Sequence, residues 1–317
     1  MKELRTLFFT YQIFLIIFFL TIDIREPYAG NLPTKRVLQF KVFKKNKKSI
    51  FQGLPVELVE EIYSYLGSDQ DDINPTQEII RLSHANRRLR EVAKNIASGK
   101  DFQVRLSGKH LSMNNFHAYF GKGGIFENVK NLNLYSRLFK PELLEILPST
   151  LVSLNLRCST VDESGFHVKN EGAKIIANRL HDLHSLSLGY NEIGDEGAHA
   201  IAENLKSLTY LNIRRNEIGE SGIRAISENL SSLTELDIGQ NKIGARGAIA
   251  MATGNLRHLR QLTVFDNHIG EEGAEAIAKA IAEGNLHSVT RILIKASNNI
   301  GQVADKMFMN LKLESYY

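Results

Sequence analysis

A single cysteine, Cys158, occurs in the 317 residues of the chain. An intramolecular disulfide is therefore excluded, and so is any structural zinc site built on two or more cysteines. The ten histidines are scattered along the sequence, without a His-x-x-x-His or cysteine-containing metal spacing. The sequence places no partner histidine beside Cys158 for nucleophilic catalysis. We therefore expect neither a metal nor another cofactor, and we predict that the chain is not an enzyme.

Acidic residues are also absent between Glu26 and Glu57, a stretch that carries seven cations: Lys35, Arg36, Lys41, Lys44, Lys45, Lys47 and Lys48. From residue 101 onward, 23 Lys and Arg stand against 24 Asp and Glu. Because phosphate binding needs a clustered positive field, this neutral part argues against nucleic acid as its main ligand. We interpret residues 31–48 as a basic linker, with binding to anionic lipid or control of membrane orientation as the alternative.

The N-terminal residues have the order of a targeting signal. Lys2 and Arg5 precede an apolar run from Leu7 to Ile22, and a short polar stretch ends in Pro27-Tyr28-Ala29-Gly30. Basic, apolar and then small residues are typical of a secretory signal peptide. The run has 16 residues, whereas a spanning helix needs about 20. We predict that residues 1–30 are a signal peptide for secretion, and an uncleaved membrane anchor is the alternative.

Internal repeats occupy the C-terminal two-thirds of the chain. Four segments align on sight, beginning at Leu186, Leu211, Leu236 and Leu262, with 25, 25 and 26 residues between their starts. Weaker copies begin at Leu132, Leu154 and Ile292. Irregular outer copies are typical of the capping units of a solenoid. The spacing predicts one repeat domain over 101–317 with seven candidate repeats.

Each residue type in the repeat has a structural role. The Leu-x-Leu and Leu-x-Ile pairs alternate with period two and predict short strands with one buried face. An asparagine three residues later predicts a buried amide that bonds the backbone of neighbouring turns. An Ile-Gly pair and an acid-rich turn then lead into a helix, where negative charge suits the N-terminus. Apolar residues such as Ala198, Ile201, Ala202 and Leu205 predict its buried face.

The unit Leu-x-Leu-x-x-Asn-x-Ile-Gly followed by a full helix resembles the ribonuclease-inhibitor type of leucine-rich repeat. The resemblance covers roughly residues 125–305. It implies an α/β horseshoe solenoid, with parallel strands inside the curve and helices outside, whose inner face and adjoining loops bind another protein. The 32 residues between Leu154 and Leu186 exceed the repeat length and predict an inserted loop.

Strand alternation identifies the residues that face the inner, concave surface. If the leucines point into the core, their neighbours and the loop positions after each strand face a ligand. The predicted target-binding residues are Tyr135, Arg157, Tyr190, Tyr210, Arg214, Glu235, Asp237, Phe265 and Asp266, and the same alternation adds Asn133, Asn155, Asn212 and Gln240. Tyrosine and arginine are frequent anchors of protein interfaces.

A helical module is predicted between the linker and the repeats. Pro55 suits a first helical turn, and Leu58, Ile62 and Leu66 form one apolar stripe. A second helix from about Thr76 follows a polar break. Residues 53–95 resemble an F-box, matching at Leu54-Pro55, Glu57-Leu58, Ile62, Tyr65-Leu66, Leu82-Ser83, Asn86-Arg87 and Leu89-Arg90. About eight extra residues between the two halves, and His84 and Ala85 at usually apolar positions, depart from that pattern.

The F-box resemblance implies docking of residues 49–100 on a Skp-type adaptor of a cullin ubiquitin ligase. The predicted adaptor-binding residues are Leu54, Pro55, Leu58, Ile62, Leu66, Leu82 and Leu89. The sequence then predicts a substrate receptor that holds a target protein on its repeats. The alternative is an exported or surface binding protein whose N-terminal helices only cap the solenoid. A bacterial effector delivered into a eukaryotic host, or a membrane-anchored receptor facing the cytosol, reconciles the signal with an adaptor.

Overall fold

The computed structural model describes residues 94, 103–107, 118–135, 141–158, 167–311 and 313–316, with the backbone alone at 105–107, 135 and 141. The predicted segments 1–30, 31–48 and 49–100 lie outside this description, apart from Lys94, so their boundaries remain predictions. Among the described helices, none combines the length and the apolar character needed to cross a membrane.

Two compact units divide the chain. The first comprises Met1–Arg105 and His117–Asn131, and the second comprises Leu106–Phe116 and Leu132–Tyr317. In the first unit, the ring of Phe126 is fully buried and lies 5.9 Å from the ring of Tyr119 and 5.5 Å from that of Phe120. The Phe126 amide also donates to the Tyr119 carbonyl at 2.8 Å. Ring contacts of this kind stabilise by burying large apolar surfaces, so a small aromatic core holds this segment.

Short strands recur along the chain and follow one another in a single sheet in sequence order. Those described are β1 (Gln103–Ser107), β2 (Asn131–Tyr135), β3 (Ser153–Asn155), β4 (Ser185–Ser187), β5 (Tyr210–Asn212), β6 (Glu235–Asp237), β7 (Gln261–Thr263), β8 (Arg291–Leu293) and β9 (Ser315–Tyr316). From β3 to β9 each strand runs parallel to the next. The register aligns the predicted leucine starts, so that Leu186 pairs with Leu211 and Leu211 with Leu236. The predicted strands are confirmed, and β1 and β9 are additional.

A helix follows most of the strands. The α-helices described in the second unit are α1 (Lys169–Arg179), α2 (Asp195–Asn204), α3 (Glu220–Asn229), α4 (Gly244–Thr253), α5 (Gly270–Glu283) and α6 (Gly301–Asn310). A 3-10 helix, Pro141–Ile146, precedes β3 instead. Each α-helix packs against the next. The predicted helix face is confirmed, since Ala198, Ile201, Ala202 and Leu205 are all fully buried.

Five asparagines form a ladder through the core, one in each of five successive turns: Asn191, Asn216, Asn241, Asn267 and Asn298. Asn216 shows the pattern. Its Nδ2 donates to the carbonyl of Leu188 in the preceding repeat at 3.0 Å and to that of Ile213 in its own repeat at 2.9 Å. Its Oδ1 accepts from the amides of Asn191 at 3.1 Å and Ile193 at 2.9 Å. The predicted role of the asparagines is confirmed, because they satisfy buried backbone groups between turns.

The N-termini of successive helices are stabilised in two ways. The Asn170 side chain accepts from the amides of Gly194 at 2.8 Å and Gly197 at 3.1 Å, at the start of α2. Asp195 Oδ1 does the same for the start of α3, at 2.7 and 3.0 Å. These acceptors come from the preceding repeat, unlike an ordinary N-cap. The next helix, α4, instead starts at Gly244, whose φ of 65° favours glycine.

The last described strand is held by an aromatic contact. The ring of Tyr316 in β9 stacks on the buried Phe308 of α6 with 5.1 Å between centroids. Its hydroxyl donates to Asp305, and Lys295 Nζ lies 4.3 Å from its centroid. Burial and the Asp305 carboxylate both raise the pKa of Tyr316. The hydroxyl therefore stays protonated as a donor, which fixes β9 against α6 and β8.

Candidate protein-binding surface

The strands of the second unit present one exposed face, which we call the strand face. In β3, β5, β6 and β7 the central leucine is buried and its two neighbours are half-exposed. Asn155, Tyr210, Asn212, Glu235 and Asp237 lie on this face, as strand alternation predicts. Asn133 is buried, with only 4% of the residue exposed, so it does not offer the ligand-facing surface that was predicted for it. The side chain of Tyr135 lies outside the described residues.

The residue before each ladder asparagine adopts a left-handed backbone conformation. The φ angles are 63° at Tyr190, 55° at Arg215, 58° at Gln240, 55° at Asp266 and 55° at Ser297. A non-glycine residue in this region costs on the order of 1–3 kcal/mol unless its surroundings enforce it. The buried asparagine that follows enforces this conformation here, because the hydrogen bonds of its side-chain amide fix the turn. The side chain before it consequently projects from the exposed edge of the sheet while the asparagine enters the core.

Tyr190 lies between two arginines at this edge. The guanidinium carbons of Arg157 and Arg215 are each 5.0 Å from the centroid of its ring. Both arginines are exposed, whereas Tyr190 is half-buried. Burial raises the pKa of the Tyr190 hydroxyl, but hydrogen bonding from Arg215 and Arg157 and the charges of Arg214 and Arg157 together outweigh it, so the pKa lies below its ordinary value. Cation–π contacts at exposed sites contribute about 0.5–1 kcal/mol each, so they favour this arrangement of the three side chains.

A second contact between an arginine and an aromatic ring lies beside the Tyr190 group. The Arg214 guanidinium carbon is 4.7 Å from the centroid of Phe265. Its Nε and Nη2 donate to Gln240 Oε1 at 3.0 and 2.8 Å, and Gln240 Nε2 donates to Asp266 at 3.4 Å. A half-buried network thus links residues of three successive repeats. Its side chains are already ordered in the free protein, which reduces the entropy lost on binding.

Acidic side chains occupy the middle and the opposite end of the strand face. Burial raises the pKa of the Asp237 carboxyl above its ordinary value, although the Gly239 amide and the charges of Arg214 and Arg157 act against this. Asn212 Nδ2 donates to Asp237 at 3.2 Å. Glu235, at the start of β6, accepts from Gln261 at 3.3 Å. The arginines thus lie at the edge where the strands end, and the two carboxylates Glu235 and Asp237 lie on β6.

The predicted target-binding residues separate into two groups. Arg157, Tyr190, Arg214, Phe265 and Asp266 lie together at the edge where the strands end. Tyr210 and Glu235 begin their strands and lie at the other edge, and Asp237 lies between. The predicted adaptor-binding residues, from Leu54 to Leu89, lie outside the described residues.

Sequence reasoning missed Arg215, the second arginine on the Tyr190 ring. The repeat alignment contains the signal that identifies it. Arg215 occupies the same position as Tyr190, Gln240 and Asp266, directly before the ladder asparagine, and all four share the left-handed turn. Arg215 therefore lies at the edge because of its position in the repeat. Arg214 and Arg215 are adjacent in the sequence, yet they contact two different rings, those of Phe265 and Tyr190.

The groups at this edge suit non-covalent binding. Across the described residues, no group of three or more His, Cys, Asp or Glu side chains is arranged to hold a metal ion. Cys158 follows β3 and is half-buried. Aromatic rings, guanidinium groups and amides at the edge can supply stacking, charge-assisted hydrogen bonds and shape.

Comparisons with known proteins agree with this architecture. A family model described as Leucine Rich repeat matches residues 179–202, 204–227, 229–252 and 255–278. No curated protein matches the sequence. The chain contains leucine-rich repeats, and its second unit is a leucine-rich-repeat solenoid. This fold serves protein–protein interaction, because stacked repeats create an extended binding surface.

Solved structures also resemble the chain. An internalin from Listeria monocytogenes is 17% identical, with a TM-score of 0.41, over 70% of this chain and 62% of its own. In the yeast complex of Rad7 and Elc1, the matching chain is 14% identical with a TM-score of 0.43, over 72% of this chain and 68% of its own. Actin-binding site 2 of leiomodin-1 is 18% identical with a TM-score of 0.32, over 54% and 84%. The chain thus spans about three fifths of the internalin, and similarity at this level says nothing about function.

Proposed function

We propose that this chain is a non-enzymatic substrate receptor. Its strand face binds a target protein, and residues 49–100 dock on a Skp-type adaptor that belongs to a cullin ubiquitin ligase. The observation that carries the target-binding half is the ordered set of arginine and aromatic side chains at the edge of the strand face. Tyrosine and arginine dominate the energetics of protein interfaces when they are held in place.

The adaptor-binding half is supported by the sequence. Leu54-Pro55 and the stripe of Leu58, Ile62 and Leu66 match the start of an F-box, and Leu82 and Leu89 match its end. An apolar helix face in a segment of about 43 residues cannot bury itself completely, so it needs a partner or the repeats to cover it. The proposed mechanism is proximity, because the receptor holds its target near a ubiquitin-loaded partner and makes or breaks no bond itself.

The test is a pull-down of the full chain with a purified eukaryotic Skp-type adaptor. The variant Leu54→Ala/Pro55→Ala removes the start of the F-box match, and we expect it to lose adaptor binding. The matched control is Gln302→Ala/Val303→Ala, an exposed polar–apolar pair on α6, which we expect to bind like the parent. Absence of binding by a folded parent, or equal binding by both variants, would overturn the adaptor role.

A second candidate function is an exported or surface binding protein whose N-terminal helices only cap the solenoid. It is supported by Lys2, Arg5 and the apolar run from Leu7 to Ile22. Mass spectrometry of the N-terminus of the protein made in its own cells distinguishes a cleaved signal peptide from an uncleaved membrane anchor. A new N-terminus near residue 30 indicates a removed signal, whereas an intact Met1 in the membrane fraction indicates an anchor. Export without adaptor binding favours this second function.

A further inference from the structure

Three arginines meet at the edge where strands β3 to β5 end, and each lies against an aromatic ring. Arg157 and Arg215 flank Tyr190, and Arg214 stacks on Phe265. We call these five residues the arginine cluster. Because Arg157 and Arg215 are each 5.0 Å from one centroid, their guanidinium carbons lie within about 10 Å of each other, a separation at which like charges still interact.

The positive charge of the cluster is only partly balanced. Within the described residues, none of its three arginines forms an ion pair. The neighbouring carboxylates are engaged elsewhere, since Asp237 accepts from Asn212 and the Gly239 amide, and Asp266 accepts from Gln240. Asp237, which the charges of Arg214 and Arg157 do reach, and Asp266 thus leave the three guanidinium groups without a direct ion pair.

Stacking, and the hydrogen bonds of Arg157 and Arg215 to the Tyr190 hydroxyl, use only part of each guanidinium edge. A guanidinium that lies on a ring offers its N–H groups at the rim of the plane, and these form paired hydrogen bonds with a carboxylate. Arg157 and Arg215 are exposed, so a ligand reaches them from solvent. Arg214 uses Nε and one Nη atom on Gln240, which fixes its orientation and leaves its other terminal nitrogen.

We infer that the arginine cluster binds the carboxylates of an acidic segment in the partner protein. The inference rests on the proposed binding of a target protein to the strand face and names the chemistry of the target. Each guanidinium can form its own paired hydrogen bonds with a carboxylate, so we expect a segment with two or more acidic side chains to engage Arg157 and Arg215 together.

A protein segment fits this surface better than a nucleic acid. Glu235 and Asp237 lie on the same strand face, where they repel a continuous phosphate backbone but accept donors from a peptide. The chain from residue 101 onward is also nearly neutral, with 23 Lys and Arg against 24 Asp and Glu. Phosphate binding over many contacts needs a larger positive field.

Fluorescence anisotropy of the full chain with a labelled peptide of six glutamates tests the inference, and a peptide of six glutamines is the neutral comparison. We expect binding of the glutamate peptide that weakens with added salt, and little binding of the glutamine peptide. The variant Arg157→Ala/Arg215→Ala should weaken glutamate-peptide binding by about tenfold or more, because it removes two charge-assisted contacts.

The matched control is Arg224→Ala/Arg246→Ala, which removes two arginines exposed on helices α3 and α4. This control has the same net charge as the cluster variant, so long-range attraction by the basic residues 35–48 affects both equally. Equal affinities of the two double variants would overturn the inference and assign the binding to that basic segment. Circular dichroism checks that both variants keep the parent fold.

Two further arms keep the result specific. Tyr190→Phe keeps the ring but removes the hydroxyl that hydrogen-bonds to Arg215 and Arg157, so we expect it to bind only slightly less tightly than the parent, whereas Tyr190→Ala should bind as weakly as the arginine variant. Binding of a phosphoserine peptide or a single-stranded oligonucleotide without binding of the glutamate peptide would overturn the carboxylate assignment. The adaptor pull-down is independent of this result, because it depends on Leu54 and Pro55, so the two proposals can fail separately.

Discussion

Adjacent residues in one turn of the solenoid are governed by different demands. Asn191 and Asn216 are buried, and each is an asparagine because the backbone around it presents the same donors and acceptors in every turn. Tyr190 and Arg215 stand immediately before them at the exposed edge. Nothing in the fold requires these side chains, and the same position holds Gln240 and Asp266 in the next repeats. The scaffold therefore repeats its residues, while the surface varies them.

The difference is energetic as well as spatial. A buried polar side chain that bridges backbone groups stabilises mainly because its removal leaves those groups without partners. An exposed side chain that is removed is replaced by water at little cost. Substitutions in the ladder should therefore act on stability, and substitutions in the arginine cluster should act on binding.

The largest expected effect is that of Asn216→Ala. The change removes the acceptor of two buried amides, those of Asn191 and Ile193. Each stranded amide costs about 1–3 kcal/mol, so the free energy of unfolding should fall by roughly 3 kcal/mol or more. Urea denaturation followed by circular dichroism measures the change.

Asn212→Ala is the control for that prediction, since it removes the same residue type four positions earlier on the strand face. Asn212 is half-exposed, donates to Asp237 and accepts from the Arg214 amide. Water can replace both contacts, and we expect a loss of about 1 kcal/mol or less. Similar losses in the two variants would contradict the division between scaffold and surface.

A second prediction concerns two glycines in one turn. A Cβ at Gly197 would lie 2.7 Å from Ile193 Cγ2 and 3.1 Å from the Cβ of Ala173 in the preceding helix. Overpacking of this kind costs about 1–3 kcal/mol, partly offset by the better helix propensity of alanine. We therefore expect Gly197→Ala to lower the free energy of unfolding by about 1–2 kcal/mol.

Gly194→Ala is the matched change three residues earlier. A Cβ there would have no neighbour closer than 3.6 Å, and its φ of −99° is open to any residue. Thermal melting of the two variants should therefore show a clear shift of Tm for Gly197→Ala and little for Gly194→Ala. The reverse order would mean that the spacing of helices α1 and α2 does not depend on the missing side chain.

Much of this architecture could be predicted from the sequence, because its period is short and repeated. The register of Leu186, Leu211 and Leu236 follows from the constant repeat length. The bridging role of the asparagines follows because the backbone between stacked turns has buried donors and acceptors that need partners. The burial of Asn133 was missed because alternation along a strand predicts which face a residue is on, not whether that face is covered. The pairing of Arg157 and Arg215 on Tyr190 could not be predicted, since it depends on how far each side chain reaches between neighbouring turns.

The smallest effect concerns the helix starts, where the scaffold itself is not uniform. Asp195→Ala removes the acceptor for two amides at the start of α3, those of Gly219 and Gly222. Loss of a cap costs about 1 kcal/mol.

Glu220 occupies the same position one repeat later but pairs with Arg224 on its own helix, at 2.9 Å. An exposed pair of this kind contributes about 0.3–0.5 kcal/mol, so Glu220→Ala should cost less than Asp195→Ala in the same urea denaturation. A loss as large as that of Asp195→Ala would show that Glu220 also stabilises the start of α4, and that every repeat caps the next in the same way.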